Sequence, residues 1–293
     1  MATFTQIFHK TSYPTISSSN PLNSQAGRTV LITGGSVGIG FAVAAAFTKA
    51  GASRVIILGR REEALRVAAE KLNALQGAGE TAITTYTCDI ASLPDVESTW
   101  RKIAQANVVV DILILNAADG RSGLIAGDIA GAWSLFDTNV LANLRMAHFF
   151  FAQAVSSKGR NVLINISTCL VHSSPVPNQG AYAASKVALA SLVQNLADEF
   201  PVDQAQIVSV HPGAVLTEAA RNLGHDESSL PWDNDFCVWA STDAAKFLHG
   251  KFVWTNWDVD ELLQRQSEIS SNPGMLRIGL QGTEFFNVTA VTT

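Results

Sequence analysis

From Arg28 onward the chain alternates two apolar patterns: short, nearly unbroken runs, and longer stretches with apolar residues at helical spacing. The runs at 29–33, 54–58, 81–87, 111–115, 161–166 and 206–210 are rich in Val, Ile, Leu and Thr and predict strands. Between them, about 39–50, 62–75, 95–105, 133–157 and 181–200 carry the spacing of helices that bury one face. A strand apolar on both faces needs cover on both, so the alternation predicts a parallel sheet with helices on each side. The expected class is α/β, a Rossmann-type doubly wound parallel sheet of six or seven strands. A seventh strand is expected at 251–254, after a short helix at 242–249 with Ser241 as its cap and Gly250 as its stop.

No linker and no internal repeat divides this pattern, so residues 28–256 are expected to form a single domain. Residues 1–27, rich in Ser, Thr and Asn, form an extension that either frays or drapes over the domain. Residues 257–293 form a tail associated with it, helical over 258–271 until Asn272-Pro273-Gly274 breaks the helix.

Composition narrows the functional classes. A hydrophobic fraction of 47% with 15% charged residues permits a large core and excludes a disordered chain. A net charge of -5 offers no basic face, so no nucleic-acid partner is expected. Cys88, Cys169 and Cys237 lie far apart, which argues for reduced thiols and against a disulfide framework or a metal site. No run approaches the roughly 18 apolar residues of a membrane span, and the first residues lack the apolar core of a secretory signal. The expectation is a cytoplasmic protein without a membrane partner. Asn165-Ile166-Ser167 and Asn287-Val288-Thr289 read as glycosylation acceptors, but the first sits inside a strand pattern and is discounted.

Between the first strand and first helix lies Thr33-Gly34-Gly35-Ser36-Val37-Gly38-Ile39-Gly40. Glycines there let the backbone turn sharply and approach a pyrophosphate, and the helix start offers free N–H groups and a positive dipole end. Further along, Tyr182 and Lys186 stand four apart near the start of a helix and share one face. A free tyrosine, with a pKa of roughly 10, is a poor base at neutral pH, and a neighbouring ammonium group favours its phenolate.

The spacing Thr-Gly-x-x-x-Gly-x-Gly resembles that of the short-chain dehydrogenases/reductases. So do Asn116-Ala117-Ala118 after the fourth strand, the Tyr182-x-x-x-Lys186 pair, and Pro212-Gly213 after the sixth strand with Val215 and Thr217 following. These motifs stand in the family's order from Thr29 to about Thr217, leaving the two ends of the chain uncovered. The general run of the sequence is similar to reductases of fungal secondary metabolism.

The resemblance implies a nicotinamide cofactor held by Gly34, Ser36, Gly38, Ile39 and Gly40, by Asp89 and Ile90 at the adenine, and by Asn116 at the adenosine ribose. It also implies Pro212, Gly213, Val215 and Thr217 on the nicotinamide side. Where NAD-using members typically place an Asp, the second strand ends Leu58-Gly59-Arg60-Arg61. Losing the carboxylate and gaining guanidinium groups favours a 2′-phosphate, so the expected cofactor is NADPH/NADP+ with Arg60 and Arg61 on that phosphate.

For catalysis the resemblance implies Tyr182 as proton donor to a ketone oxygen, and Lys186 as its partner and a holder of the nicotinamide ribose. Asn139 matches the residue that supports a water relay to the lysine. The hydroxyl that orients the carbonyl stands in Ser167-Thr168; Thr168 aligns with the family's position, and Ser167 is the other candidate. His172 and His211 read as structural or pocket-lining, and no metal site is expected. Leu223, Leu230, Trp232 and Phe236, with Trp239 nearby, are candidates to wall a pocket for a bulky, partly hydrophobic small molecule.

The leading expectation is therefore an oxidoreductase on a ketone or secondary alcohol. The alternatives are a non-redox isomerase or cyclase on the same fold, and a cofactor-binding module without turnover. The resemblance also implies a homodimer or homotetramer, with the helices at 133–157 and 181–200 in contact.

Overall fold

The computed structural model describes residues 4–75, 81–153, 159–173, 176–213 and 235–279. Seven parallel strands form one sheet in the order β3-β2-β1-β4-β5-β6-β7. They are β1 Thr29–Thr33, β2 Arg54–Gly59, β3 Ala82–Thr87, β4 Ile112–Leu115, β5 Asn161–Ile166, β6 Ala205–His211 and β7 Phe252–Trp254. The order reverses between β1 and β4, so a crevice opens beyond their carboxyl ends.

Side-chain alternation explains both covered faces. Ile32, Ile57, Ile114, Ile164 and Val208 point into one apolar cluster, with α1 Gly38–Lys49, α2 Glu62–Ala74 and the short helix Asp235–Trp239. Leu31, Ile56, Leu113, Leu163 and Ile207 point into the other, with α3 Leu93–Gln105 and the helices at Ala142–Ala152 and Gly180–Glu199. Neighbouring residues of each strand therefore belong to different cores, which is why the strands read as unbroken apolar runs.

Four expectations need correction. The helix expected at 133–157 starts earlier, as α4 Ile129–Phe136, because the Asp128 carboxylate caps it by accepting from Gly131 N at 2.8 Å. It is then interrupted by a π turn, Asp137–Leu141, and resumes as α5 Ala142–Ala152. Ser241 is not a cap: its hydroxyl turns inward and donates to Cys237 O at 2.8 Å, and the following turn, Asp243–Leu248, is a 3-10 helix. The helix expected at 258–271 is two short ones broken at Arg265.

In chain order the remaining helices are α6 Gly180–Glu199, α7 Asp235–Trp239, α8 Val259–Gln264 and α9 Gln266–Ser271. The extension at 4–27 drapes over the carboxyl-terminal elements: Phe8 pairs with Trp257 in an antiparallel bridge, and Phe4 packs on the Trp257 ring. Among the described residues no helix is long and apolar enough to cross a membrane.

Candidate active site

The turn after β1 is shaped by contacts that only glycine permits. Gly34 has φ +66°, and a Cβ on Gly40 would lie 2.2 Å from Gly34 O and 2.6 Å from Asn116 Nδ2. The first turn of α1 is thus drawn against the end of β1, and no side chain caps the start of that helix. Thr33 and Asn116 fix the arrangement. Thr33 Oγ1 accepts from the backbone nitrogens of Asn116 and Ala117 at 2.9 and 3.0 Å. The Asn116 amide donates to Thr33 O at 2.9 Å and Gly34 O at 3.2 Å, so its nitrogen is committed to the turn.

A cleft of about 1460 Å³ opens beside this turn. Its wall includes Gly34, Ser36, Gly38, Ile39, Arg60, Arg61, Asp89, Ile90 and Asn116, all expected from the sequence. Gly40 lies behind that wall, in contact with Gly34. At the end of β2, a Cβ on Gly59 would stand 3.2 Å from Ser36 Oγ, so a larger side chain there crowds the turn. Arg60 and Arg61 are exposed and make no ion pair with a described residue. Asp89 is oriented by its own loop, its carboxylate accepting from Ala91 N at 3.0 Å. The cleft also reaches Lys49, Lys71, Asp119 and Arg121, which the sequence reading missed. For the last two, position directly after Asn116-Ala117-Ala118 was the available signal.

Tyr182 and Lys186 sit on the first turns of α6, outside that wall. Lys186 is 3% exposed and donates from Nζ to Ile166 O at 3.0 Å, tying the helix to the end of β5. Burial pushes its ammonium group down to about 8. Burial also pushes the Tyr182 phenol up to about 12, with a smaller contribution from the nearby Cys169 thiol. Beyond β5, the Ser167 hydroxyl is buried without a hydrogen-bond partner among the described residues. Thr168 is half-buried, and its Oγ1 accepts from Leu170 N at 3.4 Å, which leaves its hydrogen free to donate.

The π turn brings Asn139 inward. Fully buried, its Oδ1 accepts from Asp119 N at 2.7 Å, and its Nδ2 donates to Asp119 O and to Ser185 Oγ, each at 2.9 Å. Ser185 Oγ in turn donates to Tyr182 O at 2.7 Å. One buried chain of hydrogen bonds therefore joins the loop after β4, the π turn and α6. A single π bulge at a helix is a frequent feature of functional sites.

Pro212 and Gly213 follow β6, with Gly213 at φ +79°. Val215, Thr217, Leu223, Leu230 and Trp232 lie outside the described residues. Phe236 and Trp239 are corrected: at 1% and 2% exposed they belong to the core against α1, not to a pocket wall. His172 Nε2 accepts from Trp254 Nε1 at 3.0 Å, and the His211 ring packs edge-on to Trp254. Burial lowers both histidines, His211 to about 4. Among the described residues no group of metal-ligating side chains comes together.

The family model described as short chain dehydrogenase matches residues 28–228. The chain belongs to the short-chain dehydrogenase/reductase family. Two fungal members of that family are each 30% identical to this one. A short chain dehydrogenase/reductase of Claviceps purpurea aligns over 94% of this chain and 94% of its own. One of Aspergillus novofumigatus aligns over 94% and 96%. Among solved structures, a short-chain type dehydrogenase/reductase from Mycobacterium marinum superposes with a TM-score of 0.70 at 23% identity, covering 80% of this chain and 95% of that one. The Pseudomonas aeruginosa RhlG/NADP active-site complex gives 0.70 at 23%, covering 80% and 97%. These likenesses establish the seven-stranded parallel fold for the family member described here.

Proposed function

We propose that this protein is an NADPH-dependent reductase of a ketone, or in reverse an oxidant of a secondary alcohol, acting on a bulky, partly hydrophobic small molecule. The observation that carries the reading is the base of α6. Tyr182 and Lys186 stand one turn apart there, with Lys186 Nζ 3.0 Å from Ile166 O and the Thr168 hydroxyl two residues beyond that carbonyl.

The residues present fit a nicotinamide dinucleotide phosphate. The close glycine packing at Gly34 and Gly40 leaves the uncapped start of α1 open to a pyrophosphate. Arg60 and Arg61, exposed and without an ion pair to a described residue, suit a 2′-phosphate, while Pro212 and Gly213 are read as the nicotinamide side. Structural neighbours described as NADP complexes agree with this choice. When bound, the reduced cofactor supplies a hydride to the carbonyl carbon of the substrate.

The chain's own groups handle the proton. Tyr182 gives its phenolic proton to the carbonyl oxygen; with the phenol held at about 12, that proton is in place at neutral pH. Thr168 donates its free hydroxyl hydrogen to the same oxygen, and its greater exposure favours it over Ser167. Lys186, at about 8, is still an ammonium at pH 7 and favours the phenolate left after transfer. Asn139, held in the π turn, matches the residue to which the family pattern assigns a water relay toward Lys186.

Tyr182→Phe keeps the ring and removes the donor. NADPH oxidation with a panel of ketones is expected to fall by roughly 10² to 10⁴, the usual contribution of a positioned acid, with cofactor binding retained. Thr168→Val should follow it, and Ser167→Ala should not. Near-normal turnover in Tyr182→Phe sinks the mechanism, and absence of NADPH oxidation by the unaltered protein with every ketone moves it to the non-redox alternative.

A further inference from the structure

Residues 4–25 precede the stretch that the family model matches, yet they are tied down along their length. Gln6 N and Ile7 N donate to the two carboxylate oxygens of Glu261 at 2.7 and 2.8 Å. His9 Nε2 meets Asp258 Oδ2 at 2.7 Å, and the Arg265 guanidinium lies 3.8 Å over the Phe4 ring. The Tyr13 hydroxyl accepts from Val259 N at 2.7 Å.

Two of the ties reach the site. His9 and Asn256 are joined twice: His9 N donates to Asn256 O at 2.8 Å, and Asn256 Nδ2 donates to His9 O at 2.7 Å. The same Asn256 amide is packed on Gly213, where a Cβ would stand 2.7 Å from Asn256 Oδ1. A backbone at φ +79° with no room for a Cβ can be held only by glycine. One side chain is thus shared between the arm and the turn after β6.

The second tie is Asp235, which opens α7 and lies on the wall of the cleft. Its Oδ2 accepts from Ser12 Oγ at 2.7 Å and from Ser18 N at 3.1 Å. Asp235 is 7% exposed, so without these donors its carboxylate would lose hydrogen bonds that water cannot readily replace.

We propose that the N-terminal arm is a positioning element of the active site. By holding Asn256 against Gly213 it fixes the Pro212–Gly213 turn, which the cofactor reading assigns to the nicotinamide, and by holding Asp235 at the start of α7 it fixes one wall of the cleft. The inference rests on the cofactor reading above. It assigns the arm no chemistry; the arm acts through the turn.

The test compares two probes by calorimetric titration: NADPH, which spans both ends of the cleft, and adenosine 2′,5′-bisphosphate, which carries only the adenosine end. The variants are Asn256→Ala, acting at the turn, and His9→Ala/Glu261→Ala, acting on the arm from the protein surface. Thermal unfolding confirms that each is folded, and the arm variant decides the matter if Asn256→Ala is not. The expected result is NADPH binding weakened about threefold to tenfold, the equivalent of about one hydrogen bond, with the bisphosphate unchanged. Unchanged NADPH binding in the arm variant, or equal weakening of both probes, overturns the proposal. If the unaltered protein binds neither probe, the cofactor reading itself fails and this inference falls with it.

Discussion

Replacing Lys186 by Met tests whether the buried ammonium is kept for chemistry and not for stability. The side chain is 3% exposed, and burial has moved its titration from 10.5 to about 8. At roughly 1.36 kcal/mol per pKa unit, holding the charged form inside the fold costs about 3 kcal/mol below pH 8. Methionine removes that cost with a side chain of similar length. It also deprives Ile166 O of its donor, a loss of about 2 kcal/mol. The net at pH 7 is a variant more stable by about 1 kcal/mol, and inactive in reduction.

The pH dependence carries more weight than that small difference. Between pH 8 and 10.5 the unfolded chain keeps a proton on Lys186 that the folded chain has released, so stability of the unaltered protein rises with pH across this window. The Met variant lacks this term, and its advantage should shrink by about 3 kcal/mol from the lower to the upper end. Burial also raises Tyr182, Cys88 and Cys237, but these titrate in both proteins and cancel in the difference. Urea unfolding of the pair at intervals between pH 7 and pH 10.5 measures it, alongside NADPH oxidation. Two stability curves that run parallel across the window would refute the desolvated ammonium. Full turnover in the variant would refute its role.

Arg60→Ala should weaken NADPH binding tenfold or more and leave NADH nearly untouched, since a charge-assisted bond contributes about 1.5–3 kcal/mol; equal losses for both cofactors would end the 2′-phosphate assignment. His211, lowered from 6.5 to about 4, stays neutral in the fold while the unfolded chain binds a proton, so stability should fall by about 3 kcal/mol as pH drops from 6.5 to 4. Unfolding of His211→Phe through the same range should lack that slope, and an unchanged slope would assign acid sensitivity elsewhere. Ile129 and Trp133 on α4 are 75% and 64% exposed, so Trp133→Glu should lower the mass of the expected homo-oligomer in light scattering; an unchanged mass removes this face from the contact.

The strands were readable because each residue of Val30-Leu31-Ile32 is buried, whichever core it enters. The glycine turn was readable for a different reason: Gly34 and Gly40 stand where a Cβ has no space, so their identity reports the backbone directly. What escaped reading was decided by partners distant in the chain. The π turn at 137–141 alters one step of backbone pairing while leaving apolar spacing intact, so 133–157 looked like one helix. Ser241 carries a capping side chain, but its hydroxyl donates to Cys237 O, one turn back, at 2.8 Å. Phe236 and Trp239 read alike as pocket or core until α1 is packed against them. The arm looked merely polar because its acceptors, Asp235, Asp258 and Glu261, all stand more than two hundred residues away.

That distance bears on how the chain is made. His9 and Asp258 are 249 positions apart, so at about 5–20 residues per second the first cannot meet the second for tens of seconds after it is polymerised. The partners of residues 6–13 named above, Asn256, Asp258, Val259 and Glu261, follow β7, and Asp235 stands shortly before it, whereas Gln25 N donates to Ala50 O at 2.8 Å and can close early. Residues 6–9 must therefore wait while the sheet grows, and they dock only once the segment around Asp258 has been made. The richness of residues 1–27 in Ser, Thr and Asn suits that wait, because a strand-forming apolar segment left unpaired so long would invite aggregation. Residues 6–9 precede all the described strands and find their partners, Asn256, Asp258 and Glu261, only after β7 has been made.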